Sequence, residues 1–282
     1  MENKKRNWKK LHLTAFELAV AAACILMFYP VIMMVIVSLK DDVLLASEPL
    51  SLKTSFAFKN YLTAIRGMDY GVALFNSTVL TVCSGVLTTF FGACAAYAIT
   101  RARKGKKFFK GLNFLFIIGL ALPQQVVMVP LVLWMQKLGV GNTLFGLILA
   151  FIGANAAYGV FFFGGFVNTV PASLEEAAYI DGAGPMETFL KIVLPLLRPP
   201  MVTLLIVIAL RVWNNFMYQL LLLQGKSSRT LPLTVFFFKG DLSIQWNILF
   251  AATTLAILPL MIMYFLLQKQ IISGMLSGSV KG

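Results

Sequence analysis

The sequence predicts an all-α membrane protein with six transmembrane helices. Of its 282 residues, 59% are hydrophobic and only 12% are charged, and the mean hydropathy is +0.83. A soluble domain averages roughly 45–50% apolar and about 25% charged residues. The apolar residues also lie in long runs almost without charge, and each run has the roughly 20 residues that a helix needs to cross a bilayer. These observations exclude the water-soluble class.

Six apolar runs define the predicted spans. In chain order they cover Leu18–Val37, Tyr70–Thr100, Gly111–Gln136, Leu138–Leu174, Pro199–Gly225 and Leu242–Gln268. Only the fifth run contains a charge, Arg211. The predicted transmembrane helices are residues 14–38, 71–100, 111–134, 144–166, 201–224 and 247–268. We expect Pro30, Pro130 and Pro259 to bend the helices that contain them.

Lysine and arginine residues set the predicted orientation. They cluster in the N-terminal segment, in the 101–110 segment, in the 167–200 loop and in the C-terminal tail. Because cytoplasmic loops carry an excess of Lys and Arg, both termini are predicted to be cytoplasmic. The expected organisation is a basic N-terminus at 1–13, one transmembrane domain at 14–268, and a tail at 269–282. The net charge of +13 is explained mostly by this excess of basic residues on the cytoplasmic side. Membrane lipid is the expected counter-charge, and no nucleic-acid partner is expected.

The sequence carries no pattern typical of an enzyme or a metal site. The single histidine, His12, has no His or Cys near it in sequence to complete a metal site. The three cysteines lie inside apolar runs, so no disulfide scaffold is predicted. Gly225-Lys226-Ser227 comes closest to a phosphate-binding loop, but residue 220 is Leu where this loop needs Gly. We expect no catalytic residues, no metal and no cofactor in this chain.

The 167–200 loop is predicted to form two short helices. Pro171 suits the first turn of a helix, and Glu175 and Glu176 then lie near the positive end of its dipole. Gly182 is expected to end this helix. A second helix is expected to begin at Gly184-Pro185.

One face of the first loop helix is predicted to be smooth. Ala178 and Gly182 are four residues apart and are expected to point the same way. Small side chains flanked by carboxylates allow the backbone of another protein to approach closely, so the loop is a candidate docking surface.

The spacing within this loop resembles the EAA signature of permease subunits of ATP-binding-cassette (ABC) importers. Glu176-Ala177-Ala178 is followed after three residues by Gly182 and, nine residues later, by Ile192-x-Leu194-Pro195. The longer pattern, Pro171 to Gly182, is similar to the carbohydrate-importer branch. The resemblance implies the type I ABC importer (MetI-like) permease fold, in which this loop is the coupling helix that docks into a cytoplasmic ATPase subunit. The coupling residues that it implies are Glu175, Glu176, Ala177, Ala178, Asp181, Gly182, Ile192, Leu194 and Pro195.

Two shorter segments carry further resemblance. The C-terminal Gly278-Ser279-Val280-Lys281-Gly282 is similar to the tail of the maltose-type second permease, with Ser279 in place of Ala. This implies that Ser279, Lys281 and Gly282 contact the ATPase subunits, whereas a frayed polar tail is the alternative. Trp213-Asn214-Asn215-Phe216 resembles a Trp-Asn-Asp-Phe motif, with Asn215 in place of the acidic residue.

The resemblance implies that this chain is part of a multi-subunit transport complex. The chain would be one permease subunit of an importer for an oligosaccharide or sugar derivative, paired with a homologous permease. Two cytoplasmic ATPase subunits would bind ATP and Mg, and an extracytoplasmic sugar-binding protein would deliver the sugar. The location implied is the cytoplasmic (inner) membrane of a prokaryote.

Polar residues within the spans are candidates for the substrate pathway. On a continuous fifth helix, Arg211, Asn215 and Tyr218 would share one face, at i, i+4 and i+7. Amides and aromatic rings suit sugar hydroxyls and C–H faces. Interhelical contacts are the alternative role of these residues. The candidate pathway residues are Arg211, Asn214, Asn215, Tyr218, Gln219, Gln124 and Asn155.

Three other functions stay open at this stage. The same architecture could import a solute other than a sugar. An ion-coupled secondary transporter would call for an inverted repeat, commonly with broken helices and midplane carboxylates, and no predicted span has a carboxylate near its middle. A structural or assembly protein would leave the loop motif unexplained.

Overall fold

A computed structural model describes residues 2–102, 105–237 and 245–279, with side chains described between residues 16 and 270 of these ranges. All the regular secondary structure of the described residues is helical, which confirms the predicted all-α class. In chain order the helices are α1 (Glu2–Ser38), α2 (Asp42–Ser47), α3 (Lys59–Gly67), α4 (Tyr70–Thr100), α5 (Lys106–Ala121), α6 (Gln124–Lys137), α7 (Leu144–Val167), α8 (Ala172–Ile180), α9 (Pro185–Thr188), α10 (Leu194–Leu196), α11 (Arg198–Asn214), α12 (Met217–Leu222), α13 (Leu231–Phe237) and α14 (Trp246–Ser279). A π-helical turn, Phe189–Val193, joins α9 to α10, and a 3-10 turn, Lys226–Ser228, precedes α13.

Four of the described helices are long and apolar enough to cross a membrane unbroken. They are Phe16–Ser38 of α1, all of α4, all of α7, and Trp246–Gln270 of α14. Two bent helix pairs bring the number to as many as six, if each pair is counted as one span. The bent pairs are Lys106–Ala121 with Gln124–Lys137, and Pro185–Leu196 with Arg198–Asn214. The third predicted span is therefore not a single helix, whereas the second pair bends before the fifth predicted span begins. At the two ends of the chain, α1 and α14 extend beyond the predicted span limits.

The third predicted span is broken between α5 and α6, which meet at an angle of 109°. Leu122 and Pro123 adopt extended backbone conformations there, with ψ of 122° and 132°. Proline lacks an N–H donor and disfavours the helical conformation of the residue before it, which explains the break. Pro30, Pro130 and Pro259 each lie inside a helix, and the bends expected there stay predictions.

The fifth predicted span is also broken, at the end of α11. Asn215 is extended, with φ of −75° and ψ of 110°, and α12 begins two residues later. The predicted continuous face of Arg211, Asn215 and Tyr218 is therefore wrong, since it assumed an unbroken helix. The break is stabilised locally, because Asn215 Oδ1 accepts the N–H of Tyr218 at 3.0 Å. Gln219 Nε2 donates to the carbonyl of Val212 at 3.2 Å, and this carbonyl also accepts the N–H of Asn215 at 3.3 Å.

The chain divides into two compact units, and the first comprises Met1–Met68 and Phe237–Ile257. In this unit a fully buried lysine holds the segment that follows α1. Lys40 Nζ donates to the carbonyls of Glu48, Pro49 and Ser51 at 2.6, 3.1 and 2.8 Å. These three bonds satisfy the buried ammonium and order the loop around α2.

The second unit comprises Asp69–Phe236 and Leu258–Gly282 and contains both candidate sites. Its core lies where α4 packs against α7 and α11, with Phe163, Leu204 and Ile208 fully buried. The backbones of α4 and α7 approach closely at two glycines: a Cβ added to Gly92 would lie 3.1 Å from Gly159 Cα. Small residues allow such close contact between helices in a membrane. This packing fixes the ends of α4 and α7 against the 167–200 loop.

Candidate functional site

The first candidate site is the loop helix α8 and the turn that ends it. Gly182 has φ of +84°, the left-handed conformation that favours glycine. Gly182 N–H donates to the carbonyl of Tyr179 at 3.1 Å, and Ala183 N–H donates to that of Ala178 at 2.9 Å. This bond pair is a Schellman motif, which satisfies the last carbonyls of the helix. The prediction that Gly182 ends this helix is confirmed.

The face that α8 leaves exposed differs from the predicted one. Ala178 is only 7% exposed, whereas Gly182 is exposed. The two residues do not form one smooth surface, because Ala178 is buried whereas Gly182 is exposed in the turn after α8. We call five exposed residues the exposed face of α8, the last two of which belong to this turn: Glu176, Ala177, Ile180, Asp181 and Gly182. Ile180 is 86% exposed, so this face offers apolar as well as acidic contacts.

The inner side of α8 is anchored to the end of α4 by a buried ion pair. Arg101 Nε donates to Glu175 Oε1 at 2.7 Å, and Tyr97 Oη donates to Glu175 Oε2 at 3.0 Å. Arg101 Nη2 also donates to the carbonyls of Val167 and Val170, at 3.1 and 2.6 Å. Charge-assisted hydrogen bonds of this kind are among the strong ones in proteins. We call Arg101, Tyr97 and Glu175 the α8 anchor.

The anchor changes the interpretation of Glu175. Its side chain is only 5% exposed, so the carboxylate faces α4 and is not part of the exposed face of α8. In the sequence, Arg101 counts only toward the basic 101–110 segment that indicates orientation, and Tyr97 lies within an apolar run. No sequence pattern identifies these two residues, because their contact with Glu175 is made across more than seventy positions of the chain.

The second half of the loop motif begins within a π-helical turn, because Ile192 lies in Phe189–Val193 and Leu194 and Pro195 begin α10. Ile192 and Leu194 are half-buried and Pro195 is exposed. Phe189, in the same turn, is buried and its ring lies 5.0 Å from that of Tyr97. This half of the loop therefore packs onto the α8 anchor from the other side.

The predicted tail contacts lie almost entirely beyond the described structure. Lys281 and Gly282 are outside the described residues, and Ser279 is the last residue of α14.

The second candidate site is a cavity of about 170 Å³ where α6, α7 and α11 meet. Four of the predicted pathway residues line it together with one aromatic residue, and we call it the Arg211 cavity: Gln124, Phe151, Asn155, Arg211 and Asn215. Non-helical backbone at membrane depth is tolerated where it is buried or lines a cavity, and the breaks at Pro123 and Asn215 both adjoin this one. Asn155 is 3% exposed, and its Oδ1 has no hydrogen-bond partner among the described residues.

Arg211 contributes the only charge to the cavity lining. Its guanidinium carbon lies 4.1 Å from the centroid of the Tyr158 ring, in a cation–π contact. The contact orients the guanidinium plane, and the side chain remains exposed within this chain.

Three other predicted pathway residues do not line the cavity. Tyr218 is 1% exposed and packs edge-on against Phe151 at 5.5 Å. Gln219 is also buried, and its Oε1 accepts a hydrogen bond from Thr230. Asn214 is exposed, and its Nδ2 donates to the carbonyl of Leu210 in its own helix. Burial gives Tyr218 and Gln219 a structural role in holding the broken helix.

Comparison with known proteins gives a family match over most of the chain. Residues 88–277 match the model of the binding-protein-dependent transport system inner membrane component. The match includes all of α7, the 167–200 loop, the break at Asn215 and most of α14, and so it contains both candidate sites.

Two curated relatives and one solved structure extend the similarity. The chain is 32% identical over 275 residues to a probable permease protein of a starch degradation products transport system from Thermoanaerobacterium thermosulfurigenes, covering 97% of this chain and 99% of that protein. It is 38% identical over 233 residues to a permease protein of a multiple sugar-binding transport system from Streptococcus mutans, covering 80% and 84%. It also resembles a chain of a bacterial ABC transporter involved in the import of the acidic polysaccharide alginate. The TM-score there is 0.80 at 21% identity, over 92% of this chain and 96% of that chain.

Proposed function

The chain belongs to the family of binding-protein-dependent transport system inner membrane components, and from this premise we propose that it is a permease subunit of an ATP-driven carbohydrate importer. Its membership confirms the prediction of a transporter subunit that is not itself an enzyme. The structural likeness confirms the predicted importer-permease fold.

A carbohydrate is the proposed cargo because of what the relatives carry and what the Arg211 cavity offers. The names of the relatives specify starch degradation products, multiple sugars, and trehalose or maltose. The cavity is lined by three amides, one cation and one aromatic ring, which suit sugar hydroxyls and C–H faces: Gln124, Asn155, Asn215, Arg211 and Phe151. The cavity is smaller than the roughly 300–1,000 Å³ of a complete ligand pocket. We infer that a second, homologous permease completes the binding site.

The observation that carries the proposal is the geometry of α8. One side of it is held to α4 by the buried Arg101–Glu175 pair, while Glu176, Ile180 and Gly182 remain free to meet a partner. A force applied to the exposed face would pass through the anchor into α4, and from there into the helices packed on it. We propose that ATPase subunits on the cytoplasmic side apply this force when they close on ATP and Mg.

The remaining partners follow from the same family. We propose two ATPase subunits, an extracytoplasmic sugar-binding protein and a location in the cytoplasmic membrane of a prokaryote. A solved alginate ABC transporter that this fold resembles was crystallised with a pentasaccharide-bound periplasmic protein, which supports a binding protein as the source of the sugar.

Co-purification with a charge-reversed variant tests the docking role. Wild-type complex extracted in detergent should contain a second permease and ATPase subunits. Glu176→Lys should lose the ATPase subunits, or lose stimulation of hydrolysis by sugar-loaded binding protein, because it reverses charge on the exposed face. Glu187→Lys is the matched control: Glu187 lies in the same loop but is paired only with Lys191 at the surface, and surface pairs contribute little. Normal transport by Glu176→Lys would contradict the proposed role of the loop.

A further inference from the structure

Arg211 is a positive charge without a carboxylate to balance it. The sequence contains no Asp or Glu between Asp69 and Glu175, and none between Glu187 and Asp241. The spans that form the Arg211 cavity therefore contain no acidic residue. The ion pairs of the described residues involve Lys53, Arg101, Lys191 and Lys226, and none involves Arg211.

Two contacts within the chain stabilise this charge only in part. Arg211 lies in the last turn of α11, where the helix dipole favours a cation. The Tyr158 ring 4.1 Å away adds a cation–π interaction. Neither contact uses the hydrogen-bonding edges of the guanidinium, which present five N–H donors in a planar fork. A charge within a membrane span is costly, and such residues commonly serve an ion or substrate pathway.

The rest of the cavity supports an anionic ligand. Position 215 is an amide, so the lining contains no competing carboxylate that would neutralise Arg211. Asn155 in the same lining is buried, and its Oδ1, which has no partner among the described residues, can accept a hydrogen bond from a sugar hydroxyl. A guanidinium binds a carboxylate by two parallel hydrogen bonds, and the neighbouring amides suit the hydroxyls of a sugar ring.

We propose that the transported saccharide carries a carboxylate, as uronic acids do, and that Arg211 is the residue that receives it. This inference rests on the proposed function and specifies its substrate class. Arg211 is a specificity-determining residue, which discriminates between charged and neutral sugars by the carboxylate alone.

The test uses pairs of saccharides that differ only in charge. Each pair is a uronate-containing oligosaccharide and its carboxyl-reduced counterpart, supplied to the complete complex with its binding protein in proteoliposomes. The measured quantity is the ratio of ATP-dependent uptake of the two members. Because the binding protein is the same in every arm, a change in this ratio between variants is assigned to the permease.

Four variants make the test specific. Arg211→Met removes the charge, and Arg211→Lys keeps it. Asn215→Asp adds a carboxylate beside Arg211 while retaining the oxygen that accepts the Tyr218 N–H. Asn214→Asp is the matched control, because it adds the same charge one residue earlier, outside the cavity lining.

The wild-type complex should favour the uronate member. The preference should fall roughly ten- to a hundredfold in Arg211→Met and Asn215→Asp, the range for a lost hydrogen bond to a charged group. It should fall by less in Arg211→Lys, which keeps the charge but loses the planar fork, and it should remain within a few-fold of wild type in Asn214→Asp.

Other outcomes overturn the proposal. A wild-type preference for the neutral member refutes the acidic cargo but leaves a carbohydrate importer in place. Equal loss of both members in Arg211→Met, or loss of the second permease, assigns Arg211 to assembly instead. If the wild type takes up no member of any pair, the carbohydrate function itself fails.

Discussion

Substitutions at Gly182 can separate two free-energy costs. One is the backbone strain within this chain, and the other is the steric conflict with a docked partner. With φ of +84° at this residue, any side chain is strained there by about 1–2 kcal/mol. A Cβ at Gly182 meets no atom within 4 Å. Alanine and leucine should therefore cost nearly the same within this chain, and the helix end should persist in both.

The two substitutions should differ once a partner is docked. If the exposed face of α8 packs into a cleft of the ATPase subunit, the larger side chain of Gly182→Leu overpacks that interface, at a typical further cost of 1–3 kcal/mol. We expect Gly182→Ala to retain ATPase subunits on purification and to transport at a reduced rate. Gly182→Leu should lose those subunits, or keep them with hydrolysis no longer stimulated by loaded binding protein.

The control is a second glycine with the same strain in open space. Gly105 has φ of +67° and no atom within 4 Å of an added Cβ, and it lies outside the loop motif. Gly105→Leu should retain the ATPase subunits. If Gly182→Leu behaves like Gly182→Ala and Gly105→Leu in both assays, Gly182 meets no partner and the docking argument is refuted.

Three further predictions test the anchor, the core and the topology. Glu175→Gln should lower the thermal midpoint of the purified complex and weaken coupling, because a hydrogen bond to a charged group contributes roughly 1.5–3 kcal/mol; an unchanged midpoint would show that the anchor contributes nothing. Gly92→Leu should reduce the amount of folded chain in the membrane, since the side chain meets the α7 backbone, and normal levels by fluorescence size-exclusion would contradict the close packing. In a cysteine-free background, cysteines at Gly105 and Ile180 should be labelled only from the cytoplasm and one at the exposed Ser227 only from outside; outside labelling at Gly105 would overturn the predicted orientation.

The loop motif could be predicted from the sequence because its spacing is local. Pro171, Glu176 and Gly182 lie within one helix and its end, so the order of residues is enough to predict the helix and its termination. The direction in which each side chain points is a different matter. Glu175 and Ala178 face inward because α4 and its Arg101 lie beside them, and the position of α4 is fixed by packing far from the loop in sequence.

Composition and local pattern determined that this protein spans a membrane, which segments are apolar enough to do so, and that Arg211 has no acidic neighbour in its spans. Transfer into lipid depends on the summed hydrophobicity of a segment, which is a property of the sequence alone. Only the tertiary structure decided that the third and fifth spans are broken at Pro123 and Asn215. A break leaves backbone groups unpaired, and it is stable only where other groups of the folded chain satisfy them, as Asn215 Oδ1 does for the N–H of Tyr218. For the same reason Tyr218 became part of the core, while Gln124, Asn155 and Asn215 came together around Arg211.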